Sequence, residues 1–229
     1  NDKAIELCEE SLSLKRPILK GSHPSVATSL LCIADALRFE NRFLKAEPLL
    51  LKALQIFENA YSHDNKVHPQ IAACKCSLGM LYYCMGNYRE SHFYYVNSLR
   101  ERENILGITH ISTAQSMNNY GGLLHTAGNF DQALAFYSKS LRIKQMTFGE
   151  MHSDCAGTLN NIALVLKAMN RYQDAMDNYQ DAIKVLKSNF GEMNTEVAST
   201  MNNMASLYVA MGNIKRAQDV YKDSLHIKK

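Results

Sequence analysis

Small and apolar residues recur at fixed offsets along five stretches of the chain. A small residue stands at Ala46, Ser91, Ala133, Ala175 and Ala217, and Ala4 lies 42 positions before the first of these. Four residues later come Leu50, Tyr95, Tyr137, Tyr179 and Tyr221; seven later, Ala53, Ser98, Ser140, Ala182 and Ser224; eight later, Leu54, Leu99, Leu141, Ile183 and Leu225. Offsets of 0, 4, 7 and 8 trace one face of an α-helix, so each stretch predicts an amphipathic helix. A small residue lets a second helix approach closely, and an aromatic one turn on fills the space beside the crossing.

The second helix of each crossing is visible twelve residues upstream. Ile33-Ala34, Leu78-Gly79, Tyr120-Gly121, Ile162-Ala163 and Met204-Ala205 each precede the small position by that distance. Between the two helices lie Asn41-Arg42, Gly86-Asn87, Gly128-Asn129, Asn170-Arg171 and Gly212-Asn213, and Gly and Asn tolerate the left-handed backbone that ends many helices. His23, His68, His110, His152 and Asn194 open the blocks at separations of 45, 42, 42 and 42 residues. Pro24 and Pro69 follow two of them and suit the first turn of a helix, so these histidines read as structural punctuation rather than metal ligands.

A fixed period of this size predicts a stack of repeated helical hairpins. The predicted repeats are residues 23–67, 68–109, 110–151, 152–193 and 194–229, preceded in 1–22 by the second helix of a partial repeat. That start, and an end at Lys229 without a polar cap, predict a fragment of a longer protein with flanking segments.

Composition narrows the function classes. With 46% hydrophobic and 21% charged residues, the 229-residue chain reads as an ordinary soluble protein, and four prolines and 11 glycines are too few for a turn-rich β fold. Twenty-five basic against 22 acidic residues leave +3, with no basic stripe to neutralise a run of phosphates, so nucleic acid is not an expected partner. No apolar run approaches the roughly 20 residues of a membrane span, so no membrane insertion is expected and the location reads as cytoplasmic. Six cysteines at irregular spacings lack a CxxC pair and read as small buried apolar side chains; neither a metal nor any other cofactor is expected. No Gly-rich phosphate loop, HExxH or nucleophile elbow occurs, which leaves no catalytic residue to nominate.

The aliphatic-Gly/Ala pair, the Gly-Asn-Tyr/Phe turn and the Ala, Tyr, Ala spacing of four and three resemble the tetratricopeptide family across nearly the whole chain. The 42-residue period exceeds the ~34 of the common repeat. Together with the segments from Ser138 to His152 and from His23 to Thr28, Glu47-Pro48-Leu49 and Leu159-Asn160-Asn161-Ile162-Ala163, it is similar to the kinesin light chain type. Nephrocystin-3-like and microbial long-repeat proteins share the pattern. The resemblance implies an all-α, right-handed superhelical solenoid of antiparallel helix pairs, whose first helices line a concave groove.

Carried over on that resemblance, the candidate peptide-binding residues are Asn118, Asn119, Asn160, Asn161, Asn202 and Asn203, with Arg38, Tyr83, His125 and Lys167. Asn is a poor helix former, so paired asparagines inside three successive helices carry a repeated cost. A carboxamide donates and accepts as a peptide bond does, so a ladder of them suits an extended peptide. The competing reading has one Asn of each pair bonding to the neighbouring repeat. Leu31-Cys32 and Cys76-Ser77 replace the pair in the first two blocks, and few basic residues face inward, which speaks against the acidic peptides that kinesin light chains read.

The expected function is therefore a non-catalytic interaction scaffold holding a short linear peptide, an adaptor of kinesin light chain-like type. A motor or cytoskeletal partner would attach through segments outside this chain. The alternatives are a structural scaffold that self-associates through open repeat ends, and an autoinhibitory segment of a larger protein.

Overall fold

The computed structural model describes residues 2–19, 21–61 and 68–227. Residues 62–67, Lys229 and the side chain of Ala4, which figured in the repeat pattern, lie outside the described set. Eleven α-helices make up the described residues: α1 Asp2–Ile18, α2 Pro24–Phe39, α3 Phe43–Tyr61, α4 Pro69–Cys84, α5 Tyr88–Leu106, α6 Ile111–Thr126, α7 Phe130–Phe148, α8 Ser153–Ala168, α9 Tyr172–Phe190, α10 Thr195–Ala210 and α11 Ile214–Ile227. Even-numbered helices are the first helices of the hairpins, each 16 residues long, and α3, α5, α7 and α9 are second helices of 19. The long second helix accounts for much of the excess over the common repeat.

Local chemistry sets where these helices begin and end. Each block-opening residue turns its side chain onto the first turn: the Nδ1 atoms of His23, His68, His110 and His152 accept from the backbone N–H of Ser25, Gln70, Ser112 and Asp154 at 3.1–3.3 Å, and Asn194 Oδ1 accepts from Glu196. The histidines are thus N-caps, satisfying one of the amides that every helix start leaves without an internal acceptor. The rings of Tyr61 and Phe148, at the ends of α3 and α7, stack on His68 and His152 with centroids 3.7 and 4.5 Å apart. First helices close at residues of positive φ, Asn41, Gly86, Gly128, Asn170 and Gly212. The next amide in each case bonds back to the last turn, as Asn87 N–H does to Tyr82. Second helices end instead at Gly107, Gly149 and Gly191, whose φ of 82–91° combines with ψ of 157–174°, a region essentially reserved for glycine.

The small-aromatic pattern packs the hairpins. Ala46, Ser91, Ala133 and Ala175 have no exposed surface, and Tyr95, Tyr137 and Tyr179 are buried beside them. The Tyr95 ring lies so close over Gly79 that an added Cβ would sit 2.6 Å from its Cδ1; over Gly121, Tyr137 leaves 3.0 Å. Ser91 donates to the Gly79 carbonyl, while Ser98 and Ser224 donate to those of Ala72 and Ala198. The serines that replace alanine at these positions are therefore satisfied across the hairpin. The cysteine reading holds for Cys74, Cys76 and Cys155, which are buried; Cys8 is half-buried, and Cys32 and Cys84 are exposed, Cys32 at the position that Asn119, Asn161 and Asn203 hold in later first helices.

Between hairpins, a polar strut recurs. Lys15 Nζ reaches Ser29 Oγ, Arg102 Nη1 reaches Ser116 Oγ and the Ser112 carbonyl, and buried Lys144 Nζ reaches Thr158 Oγ1 and the Asp154 carbonyl. In each case a cation on a second helix meets a hydroxyl six residues after the next block opening. The chain forms two compact units, Asn1–Asn119 and Tyr120–Lys229, with the division inside α6. In the first, α2 packs on α1, α3 and α4, and α4 on α3 and α5; in the second, α8 packs on α7, α9 and α10, and α10 on α9 and α11. No helix among the described residues is long and apolar enough to cross a membrane.

Candidate functional site

Each first helix buries the face it turns to its own partner and to the neighbouring hairpins, and this leaves one stripe incompletely covered. On α8 the stripe is Gly157, Asn160, Asn161, Leu164 and Lys167; on α10 it is Ser199, Asn202, Asn203, Ser206 and Val209. On α6, Gln115, Asn118, Asn119, Gly122 and His125 hold the same positions. None of these fifteen residues is buried, whereas their helical neighbours at Cys155, Ala156, Leu159, Ile162 and Ala163 are.

Side chains on the stripe are tied across neighbouring first helices by one rule. The second residue of an asparagine pair reaches back to the first position of the preceding repeat: Asn203 Nδ2 donates to Asn160 Oδ1 at 2.9 Å, and Asn119 Nδ2 to Cys76 Sγ at 3.4 Å. Asn119 Oδ1 also accepts from Gln115. The Asn203 bond fixes how both amides of unit 2 are used. It consumes one hydrogen of Asn203 and a lone-pair direction of Asn160, and the Asn160 Nδ2 donor and the Asn203 Oδ1 acceptor have no other partner among the described residues. Asn118, Asn161 and Asn202 are half-buried on the same stripe.

The candidate cations are less available than the sequence suggests. Lys167 Nζ donates to Ser206 Oγ at 2.6 Å. Arg38 pairs with Asp35 at 3.6 Å, and its guanidinium carbon lies 4.4 Å above the exposed Phe39 ring. Only 12% of the Arg38 side chain is exposed, and its Nε is buried without a hydrogen-bond partner among the described residues. Burial holds the Asp35 carboxyl above its ordinary range, against the pull of Arg38 and of a 3.2 Å hydrogen bond from Ser77. Burial lowers the pKa of His125 from 6.5, so at neutral pH it offers a neutral imidazole rather than a third cation. Its ring lies 5.8 Å from that of Phe130. Tyr83 is half-buried, its ring 6.0 Å from exposed Tyr88.

Two features escape a reading of the stripe alone. In unit 2 a cleft of about 230 Å³ opens between α8 and α10, lined by Ala156, Gly157, Asn160, Glu196, Ser199 and Thr200 and floored by Leu186 of α9. Nothing lies within 4 Å of where a Gly157 side chain would begin. Glu196 was legible only as a first-turn acid. The struts could have been found from sequence, since Lys15, Arg102 and Lys144 each stand eleven residues after a small position. Among the described residues no group of three His, Cys, Asp or Glu side chains is placed to hold a metal.

The repeat geometry corresponds to a known family. Its sequence model, the tetratricopeptide repeat, matches residues 1–59, 70–146 and 154–229. The chain belongs to the tetratricopeptide repeat family. Among solved structures, this tetratricopeptide chain is similar to BtubC (BKLC) from P. vanneervenii, at TM-score 0.80 and 20% identity, over 99% of this chain and 90% of that one. It is also similar to the nearly identical TPR-like repeats assigned to a kinesin light chain of Podosopora anserina, at TM-score 0.72 and 17% identity over 90% and 96% of the two chains. The Rap conjugation gene regulator of plasmid pLS20, solved in complex with the Phr* peptide, matches at TM-score 0.69 and 18% identity over 91% of this chain and 55% of that one. The all-α repeat fold is thus that of kinesin light chain-like tetratricopeptide proteins. No curated protein matches the chain in sequence.

Proposed function

We propose that this chain is a protein-interaction scaffold that holds a short, extended peptide of a partner protein against the polar stripes of its first helices, as an adaptor of kinesin light chain-like type. The observation that carries the reading is the amide pair on α8 and α10. Asn203 bonds to Asn160 and leaves the Asn160 Nδ2 donor and the Asn203 Oδ1 acceptor unused within the described residues, the two kinds of group that complement the carbonyl and N–H of a peptide backbone. Backbone recognition of this kind is tolerant of sequence, which suits a scaffold. The structurally similar Rap regulator was solved in complex with a peptide, which supports a peptide as the kind of ligand. Within unit 2, Asn161 and Asn202 extend the contact and His125 and Lys167 set the polarity at the helix ends; on the first helices of unit 1, Asn118 and Asn119 offer the same amide chemistry, Tyr83 an aromatic surface and Arg38 a cation.

The test is binding of a mixed peptide library by the purified chain, with and without Asn118→Ala, Asn160→Ala and Asn202→Ala together. Loss of roughly tenfold or more in affinity supports the reading, at about 0.5–1.5 kcal/mol per hydrogen bond. Unchanged affinity refutes the clamp.

A further inference from the structure

We propose that the cleft between α8 and α10 is a side-chain subsite that takes a cationic residue, arginine or lysine, of the bound peptide. The inference rests on the peptide-binding reading above and adds to it a preference in sequence. Three observations converge. First, the cleft lies next to the free amide pair, since Asn160 belongs to both, so a backbone held there would direct a side chain inward. Second, its volume of about 230 Å³ falls below the roughly 300–1,000 Å³ of pockets for whole small molecules, and suits one long side chain. Third, its walls are mixed in character: Ala156, Gly157 and Leu186 are apolar, while Asn160, Ser199 and Thr200 are polar and Glu196 supplies a carboxylate.

That combination matches a residue with an aliphatic stem and a charged head, which buries the one and presents the other. The Glu196 carboxylate makes no ion pair or side-chain hydrogen bond with any described residue, so its negative charge is unspent within the chain. An apolar occupant would strip water from that carboxylate without replacing it, and an acidic one would repel it. Glu196 also suits the N-terminus of α10, where a negative charge is favoured. That role neither closes the cleft nor requires Gly157 across from it, and a larger residue there would occupy the mouth.

The probe is a positional-scanning library of blocked nonapeptides, each pool fixing one residue at one position, applied to the full chain and to two variants. Glu196→Gln keeps the shape and removes the charge; Gly157→Leu fills the mouth from an exposed helical position with open space around it. Wild type is expected to enrich arginine and lysine pools about fivefold over citrulline and norleucine pools at one position, the effect of one partly exposed ion pair. Both variants are expected to lose that enrichment with helicity retained by circular dichroism, and Glu196→Gln, which lies off the stripe, is expected to bind the remaining pools as before. Binding without cationic preference, or a preference that survives both substitutions, overturns the subsite and leaves the peptide-binding reading standing. If no pool binds wild type, both fall.

Discussion

Replacing Gly79 by alanine isolates the contact that sets the hairpin crossing in the second repeat. An ideal Cβ at Gly79 would stand 2.6 Å from Tyr95 Cδ1 and 2.9 Å from Cε1 and Cγ. Tyr95 is 2% exposed, so the ring cannot swing into solvent. Forcing an extra methyl into a packed interior costs about 1–3 kcal/mol, and alanine returns about 1 kcal/mol as the better helix former. With the contact this short, the net cost is expected near 1–2 kcal/mol. The first repeat supplies a control, because there the corresponding positions are Ala34 and Leu50, both fully buried. Gly79→Ala combined with Tyr95→Leu transplants that pair, so the two substitutions should couple favourably by about 1–2 kcal/mol in a double-mutant cycle. The fourth repeat shows the other way out: Ala163 coexists with Tyr179, whose hydroxyl is buried with no hydrogen-bond partner among the described residues. The assay is urea unfolding followed by circular dichroism, with Gly157→Ala as reference, since nothing lies within 4 Å there and only the helix-forming gain of roughly 0.5–1 kcal/mol is expected. Purely additive effects of Gly79→Ala and Tyr95→Leu, or a stabilised Gly79→Ala, would refute the packing argument.

Two further outcomes follow from the caps and the buried tyrosines. His110→Ala removes the acceptor for the Ser112 amide and is expected to lower stability by about 1 kcal/mol; His110→Asn, which copies the cap that Asn194 makes in the fifth repeat, is expected to restore most of it by thermal unfolding. Burial raises the pKa values of Tyr82, Tyr95 and Tyr179 well above 10 in the folded chain, with the Glu47 carboxylate accepting from Tyr82 adding to the effect there. Their contribution to stability is complete below the unfolded value near 10 and is lost as pH rises above it. Absorbance at 295 nm should therefore show these phenols ionising only together with unfolding, and a smooth titration of all tyrosines in a chain that keeps its helicity would contradict their burial.

Much of the architecture was legible because its determinants are close in sequence. The small residue, the aromatic four later and the aliphatic-Gly/Ala pair twelve before belong to one hairpin, so their spacing reports a contact made within some twenty residues. The turn residues and block-opening caps act over even shorter distances, and Asn41, Gly86, Gly128, Asn170 and Gly212 adopt the left-handed backbone their residue types suggest. The candidate stripe was legible for the same reason, since which arc of a helix stays uncovered follows from its period.

What the stripe can do was decided only by tertiary structure. Asn203 and Asn160 are 43 residues apart, as are Asn119 and Cys76, and whether such side chains meet depends on how one hairpin is rotated against the next. No period within a single helix encodes that rotation. The same holds for Lys167, drawn onto Ser206, for Arg38, held by Asp35 and Phe39, and for the cleft that opens where Gly157 faces Glu196 and Ser199. Sequence set the faces of the helices, because backbone geometry is local; packing chose which polar atoms on those faces remain unspent, because hydrogen bonds between repeats are settled only when neighbours are in place.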